Sequence, residues 1–198
     1  MKTGKTIAIV GAPRSGKSFL CKKLSEKYGY DYFLEGNNDT FPKFIEEDIK
    51  NNTNGLRRIL WFRNTQIKNF LEAQELAMNK TVLVDTFWVD NIIYRDLLLN
   101  GNDLEVARGQ SEIDMNLLPW PDKIIYLKNS EEKTLEFLTL GGRTFDHGNV
   151  FSETIKPLIA KYDELMGLIP KHIPTLVLER GSLDFEKDED LRKVVEFI

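Results

Sequence analysis

Five short runs of apolar, β-prone residues punctuate the chain: Thr6–Val10, Tyr30–Leu34, Thr81–Val84, Lys123–Leu127 and Thr175–Leu178. Four of them are almost continuously apolar. A strand with one wet face alternates, so a run without alternation predicts a strand buried on both faces of a parallel sheet. Between the runs, apolar positions recur at helical spacing. Leu20, Leu24 and Tyr28 sit four apart, and Leu56, Leu60, Ile67, Leu71 and Gln74 mark one face of a long middle helix. Ser130 before Glu131 and Glu132 predicts a capped helix start with first-turn acids. Ser152 predicts the cap of a helix running to about Gly167, and Leu191, Val194, Val195 and Ile198 predict the inner face of a last helix. Strands alternating with helices predict βαβ units and a parallel sheet covered on both sides. The stretch from Asn100 to Pro121, with Gly101, Gly109 and Pro119, reads as irregular, mobile turns. With no repeat and no linker in view, one domain over residues 1–198 is expected.

Composition narrows the function classes. One cysteine, Cys21, excludes an intrachain disulfide and a thiolate metal cage, and two histidines argue against a histidine-rich metal site. A net charge of −4 gives a nucleic-acid partner no support. No signal-peptide pattern and no bilayer-length apolar run is seen, so a cytoplasmic protein without a membrane partner is expected.

The chemistry begins at the first strand. Gly11-Ala12-Pro13-Arg14-Ser15-Gly16-Lys17-Ser18 follows an apolar run and opens an amphipathic segment that continues through Phe19. This is the phosphate-loop pattern in the context it needs. Its glycines let backbone N–H groups turn toward phosphate oxygens, and the new helix adds its positive end. Lys17 is expected to bridge the β- and γ-phosphates and Ser18 to ligate Mg²⁺, with ATP as the nucleotide. Ligands of open parallel sheets bind at the carboxyl ends of the strands. Glu35 and Asp85 end two other strand runs, so both are expected beside the loop. Asp85 is read as a second Mg²⁺ holder, against the alternative of a helix cap at the strand-to-helix corner, and Glu35 as a base for an attacking hydroxyl, against the alternative of a solvated loop acid. Arg143, in Gly141-Gly142-Arg143-Thr144, suits a flap that closes on the triphosphate. Trp61, Phe87 and Tyr94 are candidate stacking partners for a base, against the alternative that they are core.

These residues resemble the deoxynucleoside kinases, the bacterial deoxyadenosine/deoxyguanosine type in particular. Beyond the phosphate loop, the likeness runs through Tyr32-Phe33-Leu34-Glu35, Phe41-Pro42-Lys43-Phe44, Lys80 to Asp85, Pro121 to Leu127 and Leu183-Asp184-Phe185. The resemblance implies a P-loop NTPase-type three-layer sandwich with a five-stranded parallel sheet, and transfer of the γ-phosphate to a nucleoside 5′-hydroxyl. It implies Glu35 as general base, Lys17 and Ser18 as phosphate and Mg²⁺ contacts, Arg143 in a lid over about 140–150, and a homodimer. The chain departs from the family pattern at Gly36 (proline there), Thr86 (arginine), Arg14 (glycine) and in having one lid arginine. The family's base-reading glutamine finds no match near Ile59 to Arg63. Asp85-Thr86 is also similar to the strand-end pair of nicotinamide riboside kinases. A monophosphate acceptor would need a second arginine cluster, for which Arg57, Arg58 and Arg63 are available, and Arg14, Arg63 or Arg95 could replace the missing charge. A nucleotide-binding module with weak or no kinase activity is the non-enzymatic alternative.

Overall fold

The computed structural model describes residues 2–36, 41–141 and 149–198, the side chains of 138–141 and 149–155 excepted. Five parallel strands form one sheet: β1 (Thr6–Val10), β2 (Asp31–Phe33), β3 (Val82–Asp85), β4 (Lys123–Lys128) and β5 (Thr175–Glu179), in the order β2-β3-β1-β4-β5. The order switches at β1, which pairs with β3 on one side (Ile9 opposite Asp85) and with β4 on the other (Ala8 opposite Ile124).

The period of two along each strand divides the core. Ala8, Val10, Val82, Val84, Ile124 and Tyr126 face one layer, where α3 (Gly55–Leu76), α4 (Asp90–Leu98) and α7 (Asn149–Met166) supply Phe70, Ile93 and Tyr162. Ile7, Ile9, Leu83, Ile125 and Leu127 face the other. There α1 (Lys17–Tyr28) and α8 (Asp188–Phe197) supply Leu20, Leu24, Leu191 and Val194. Burial on both faces removes the need for alternation in β1, β3 and β4, as their apolar runs predicted; β5, read the same way, is instead an edge strand with Thr175, Val177 and Glu179 exposed. The three-layer α/β sandwich is therefore the fold. Among the described residues no helix is long and apolar enough to cross a membrane.

Three further expectations are corrected. Residues 101–117 are not irregular: they form α5 (Gly101–Leu117). Its inward positions are Ala107, Ser111 and Asp114, while Val106, Ile113 and Leu117 face solvent. Small and polar residues inside and apolar ones outside erase the pattern by which a helix is read. On α3 the buried stripe is Ile59, Gln66, Phe70 and Ala73, with Leu60 and Leu71 exposed, so the inner face is turned by about one residue from the expected one. A glutamine holds the middle of that stripe because it is hydrogen-bonded on both ends of its amide. The helix expected from Ser152 begins earlier, at Asn149. The cap of α6 (Glu131–Gly141) is as expected: the Lys133 amide donates to Ser130 Oγ at 3.1 Å.

Candidate active site

The phosphate loop joins β1 to α1. Gly11 has φ +150°, and a Cβ there would stand 2.5 Å from the Leu127 carbonyl oxygen, so no larger residue fits. Gly16, at φ +95°, leads into α1 without a side-chain cap, leaving the first-turn N–H groups for a ligand. Lys17 Nζ donates to the carbonyls of Gly11 (2.9 Å) and Ala12 (3.4 Å), which holds the ammonium over the loop. The loop is braced from behind by Arg180, 165 residues later, whose Nε donates to the Ser15 carbonyl at 2.9 Å. Its guanidinium lies 4.3 Å over the Phe185 ring. Because the peptide is planar, anchoring the Ser15 C=O outward turns the Gly16 N–H inward.

Three acids converge on this loop. Asp85, the last residue of β3, accepts a short hydrogen bond from Ser18 Oγ. Glu35, just past β2, accepts from Gln66 Nε2 at 2.5 Å, and Gln66 Oε1 accepts in turn from Asn91 Nδ2 at 2.5 Å. Asp90, at the start of α4, accepts from the Tyr162 hydroxyl at 2.9 Å. Burial, with the nearby charge of Asp85, pushes the Glu35 carboxyl up to about 7 against the pull of Lys17. Burial likewise raises Asp90 to about 6, again opposed by Lys17. A carboxyl poised near neutrality beside a phosphate loop suits proton abstraction. Thr86, next to Asp85, is held at φ +59°, an outlying conformation for a β-branched residue.

All of this opens into one cavity of about 380 Å³. Of the expected nucleotide contacts, Pro13, Arg14, Gly16, Lys17, Ser18 and Phe19 line it, and Gly11, Ala12 and Ser15 are buried beneath. Glu35, Asp85 and Tyr94 line it too. Two expected stacking residues do not. Phe87 is core, packed on Phe70, Trp88 and Trp120, because the turn at Thr86 sends it to the sheet while Asp90, Asn91 and Tyr94 follow the cavity side of α4. Trp61 stands behind the wall, edge-on to Phe41 (5.6 Å) and Phe62 (4.9 Å), and those two line the cavity instead. Arg143 lies outside the described residues. Among the residues that the sequence left unread are Asp90, Arg180, Gln66 and Asn91. Gln66 stands three positions beyond Arg63, and a buried amide leaves no hydrophobic signal. The arginines of α3 separate: Arg57 is locked on Asp48 and Arg63 on Asp114, while Arg58 lines the cavity. Arg95 pairs with Asp96.

Among the described residues no three His, Cys, Asp or Glu side chains cluster as a metal cage. Ser18 and Asp85 offer hard oxygens side by side, which fits Mg²⁺, an ion that takes few protein ligands and completes its shell with phosphate and water.

The fold and the loop define a phosphate-loop nucleotide-binding domain with the architecture of the small kinases. The chain belongs to the AAA domain family, whose profile matches residues 6–136, well over half its length. It is similar to the deoxyguanosine kinase of Bacillus subtilis (strain 168), 26% identical over 192 residues, covering 93% of this chain and 91% of that protein. It is also similar to adenylate kinase isoenzyme 1 of Cyprinus carpio, 25% identical over 185 residues, covering 86% and 87%. Its fold is shared by deoxyadenosine kinase from M. mycoides with products dCMP and a flexible dCDP bound. That likeness has a TM-score of 0.79 at 19% identity and covers 96% of this chain and 97% of the other. The same enzyme with bound dATP gives a TM-score of 0.76. The likeness to the deoxynucleoside kinases read from short motifs thus extends over nearly the whole chain.

Proposed function

We propose that this chain is an ATP-dependent kinase that moves the γ-phosphate to the 5′-hydroxyl of a nucleoside or deoxynucleoside. One observation carries the reading: the phosphate loop and Glu35 share a cavity whose far end is aromatic and apolar. In this mechanism the loop amides and Lys17 hold the triphosphate. Ser18 and Asp85 hold Mg²⁺, which supplies charge neutralisation at the phosphates when bound. Glu35, oriented by Gln66, accepts the proton of the attacking hydroxyl. Phe41, Phe62 and Tyr94 enclose the base, and Arg143 closes over the transferring group. The alternatives with a monophosphate acceptor lose weight because two of the three α3 arginines are spent on ion pairs. Both types of relative, deoxynucleoside kinase and adenylate kinase, fit a kinase of this size.

The test is a panel of nucleosides, nucleoside monophosphates and nicotinamide riboside offered with MgATP and scored by ADP release. Nucleosides should be turned over, and Glu35→Gln should lower that turnover by roughly 10² or more while leaving ATP binding intact. Exclusive use of monophosphates, or ATP binding with no acceptor-dependent ADP, refutes the proposal. A homodimer belongs to the same reading, and sedimentation at micromolar concentration checks it: a monomer removes that part.

A further inference from the structure

The far end of the cavity holds a cation whose hydrogen-bonding capacity is largely unspent. Arg58 carries five N–H donors. Nη1 donates to Asn52 Oδ1 at 3.2 Å, and among the described residues this is its one hydrogen bond and the buried Nε has no partner. Asp48 is near enough to be felt, but its lone pairs are taken. It accepts from Arg57 Nε and Nη2 at 2.8 Å each, from Asn54 at 2.7 Å and from Thr53 at 3.2 Å. Burial accordingly lowers the Arg58 pKa, with Asp48 and Tyr94 opposing. An Nε–H cut off from water in this way is costly unless something in the cavity pairs with it.

What pairs with it is constrained by the walls. Ile49, Ile59, Phe62, Tyr94 and Leu98 line the same end. They offer flat, apolar surface and almost no further donors, and the Asp48 carboxylate stands by. A phosphate dianion would be under-supplied there and repelled; a neutral carbonyl on a planar ring is not. The two ends of the cavity therefore ask for opposite groups. At Glu35 the ligand must donate a proton; at Arg58 it must accept. Gln66, which touches Glu35, lies eight residues beyond Arg58 on α3, about 12 Å of helix rise. A nucleoside and the reach of one arginine bridge that interval.

On the nucleoside-kinase reading above, we infer that Arg58 selects the base: the acceptor presents a ring carbonyl to Arg58, making keto bases such as hypoxanthine, guanine, uracil or thymine preferred over those with an amino group at that edge. An arginine pointed at O6 and N7 of a purine is the commonest specific base-edge contact, and an amino group in the place of O6 meets donor with donor.

Deoxyinosine and deoxyadenosine form a pair that differs chiefly at position 6, and deoxyuridine and deoxycytidine a pair that differs chiefly at position 4. The full chain, with MgATP present for turnover and with an unreactive ATP analogue for calorimetry, should favour the keto member of at least one pair by roughly tenfold or more. In Arg58→Met that ratio should fall toward one, through a rise in KM for the keto nucleoside, with KM for ATP within about twofold of wild type. Arg58→Lys, which keeps the charge and loses the fork, should retain part of the preference, and it decides the matter if the methionine variant does not fold. Equal use of both members, preference for the amino members, or a ratio unmoved in either variant overturns the inference and leaves the kinase reading standing. A wild-type protein that binds ATP but no nucleoside overturns both.

Discussion

Arg14 sits in the phosphate loop at φ +64°, where a side chain clashes with its own backbone and glycine does not. Left-handed backbone costs an ordinary residue about 1–2 kcal/mol. The arginine also lines the cavity, so strain and a cation for the ligand come together in one residue. Arg14→Gly should therefore stabilise the unliganded protein by roughly 0.5–1 kcal/mol, the relief being partly offset by the freer unfolded chain. ATP affinity should fall about three- to tenfold. Arg14→Ala should lose the affinity without the stability gain. Urea denaturation and calorimetry on the two variants check this; equal stability in all three proteins removes the strain argument. The sequence showed that Arg14 stands where a glycine is usual. That the position needs a left-handed backbone follows only from the turn into Gly16.

At the scale of elements, α5 is held differently from its neighbours. It presents Ala107, Ser111 and Asp114 inward, and beside the apolar cluster of Ala107 with Ile59 its polar attachment to α3 is the forked pair Arg63–Asp114, with N···O distances of 2.6 and 2.5 Å. Both side chains are largely buried, so removing one strands the other. Asp114→Ala should cost roughly 2–3 kcal/mol in urea denaturation. ATP affinity should not change, because neither residue of the pair lines the cavity. Arg63→Met combined with Asp114→Leu should recover much of the loss; a double variant no better than the single one refutes the pairing. The same helix shows where sequence patterning stops. Strands β1, β3 and β4 were legible because hydrophobic burial on two faces leaves continuous runs, and the phosphate loop because its glycines are required by φ and by close backbone approach. Glu35 and Asp85 followed from strand ends in a parallel sheet. Polar inward faces carry no such signature: α5, the rotation of α3 and the Gln66–Asn91 relay depend on partners far apart in the chain. Phe87 and Trp61 failed for a related reason, since an aromatic residue looks the same in a core and at a cavity wall.

Across the whole molecule, the sheet gathers Glu35, Asp85 and Asp90 at one edge around a single Lys17, and the fold keeps them together against their mutual repulsion. The consequence is a stability that depends on pH in an unusual direction. Glu35 is raised from an ordinary 4.5 to about 7 and Asp90 from 3.8 to about 6. Below about pH 3 both are protonated, folded or unfolded, and neither contributes. As pH rises toward 7, the unfolded chain releases these protons while the folded chain retains them. The folded state then binds more protons than the unfolded, so these two groups make stability fall with pH across that window. Above about 8 both are ionised in either state and the full cost is present, on the order of a few kcal/mol together after allowance for the solvent reaching half-buried Glu35. Glu35→Gln removes a share of it. The variant should equal wild type in stability near pH 4 and exceed it by about 1–2 kcal/mol at pH 8, measured by urea denaturation without nucleotide. Saturating MgATP should raise the stability of both proteins, by about 2.7 kcal/mol at a hundred times Kd. A difference between wild type and Glu35→Gln that is the same at pH 4 and pH 8 would show that the carboxyl is not held out of its ordinary range, and the acid cluster would then lose its role as a site poised for proton transfer.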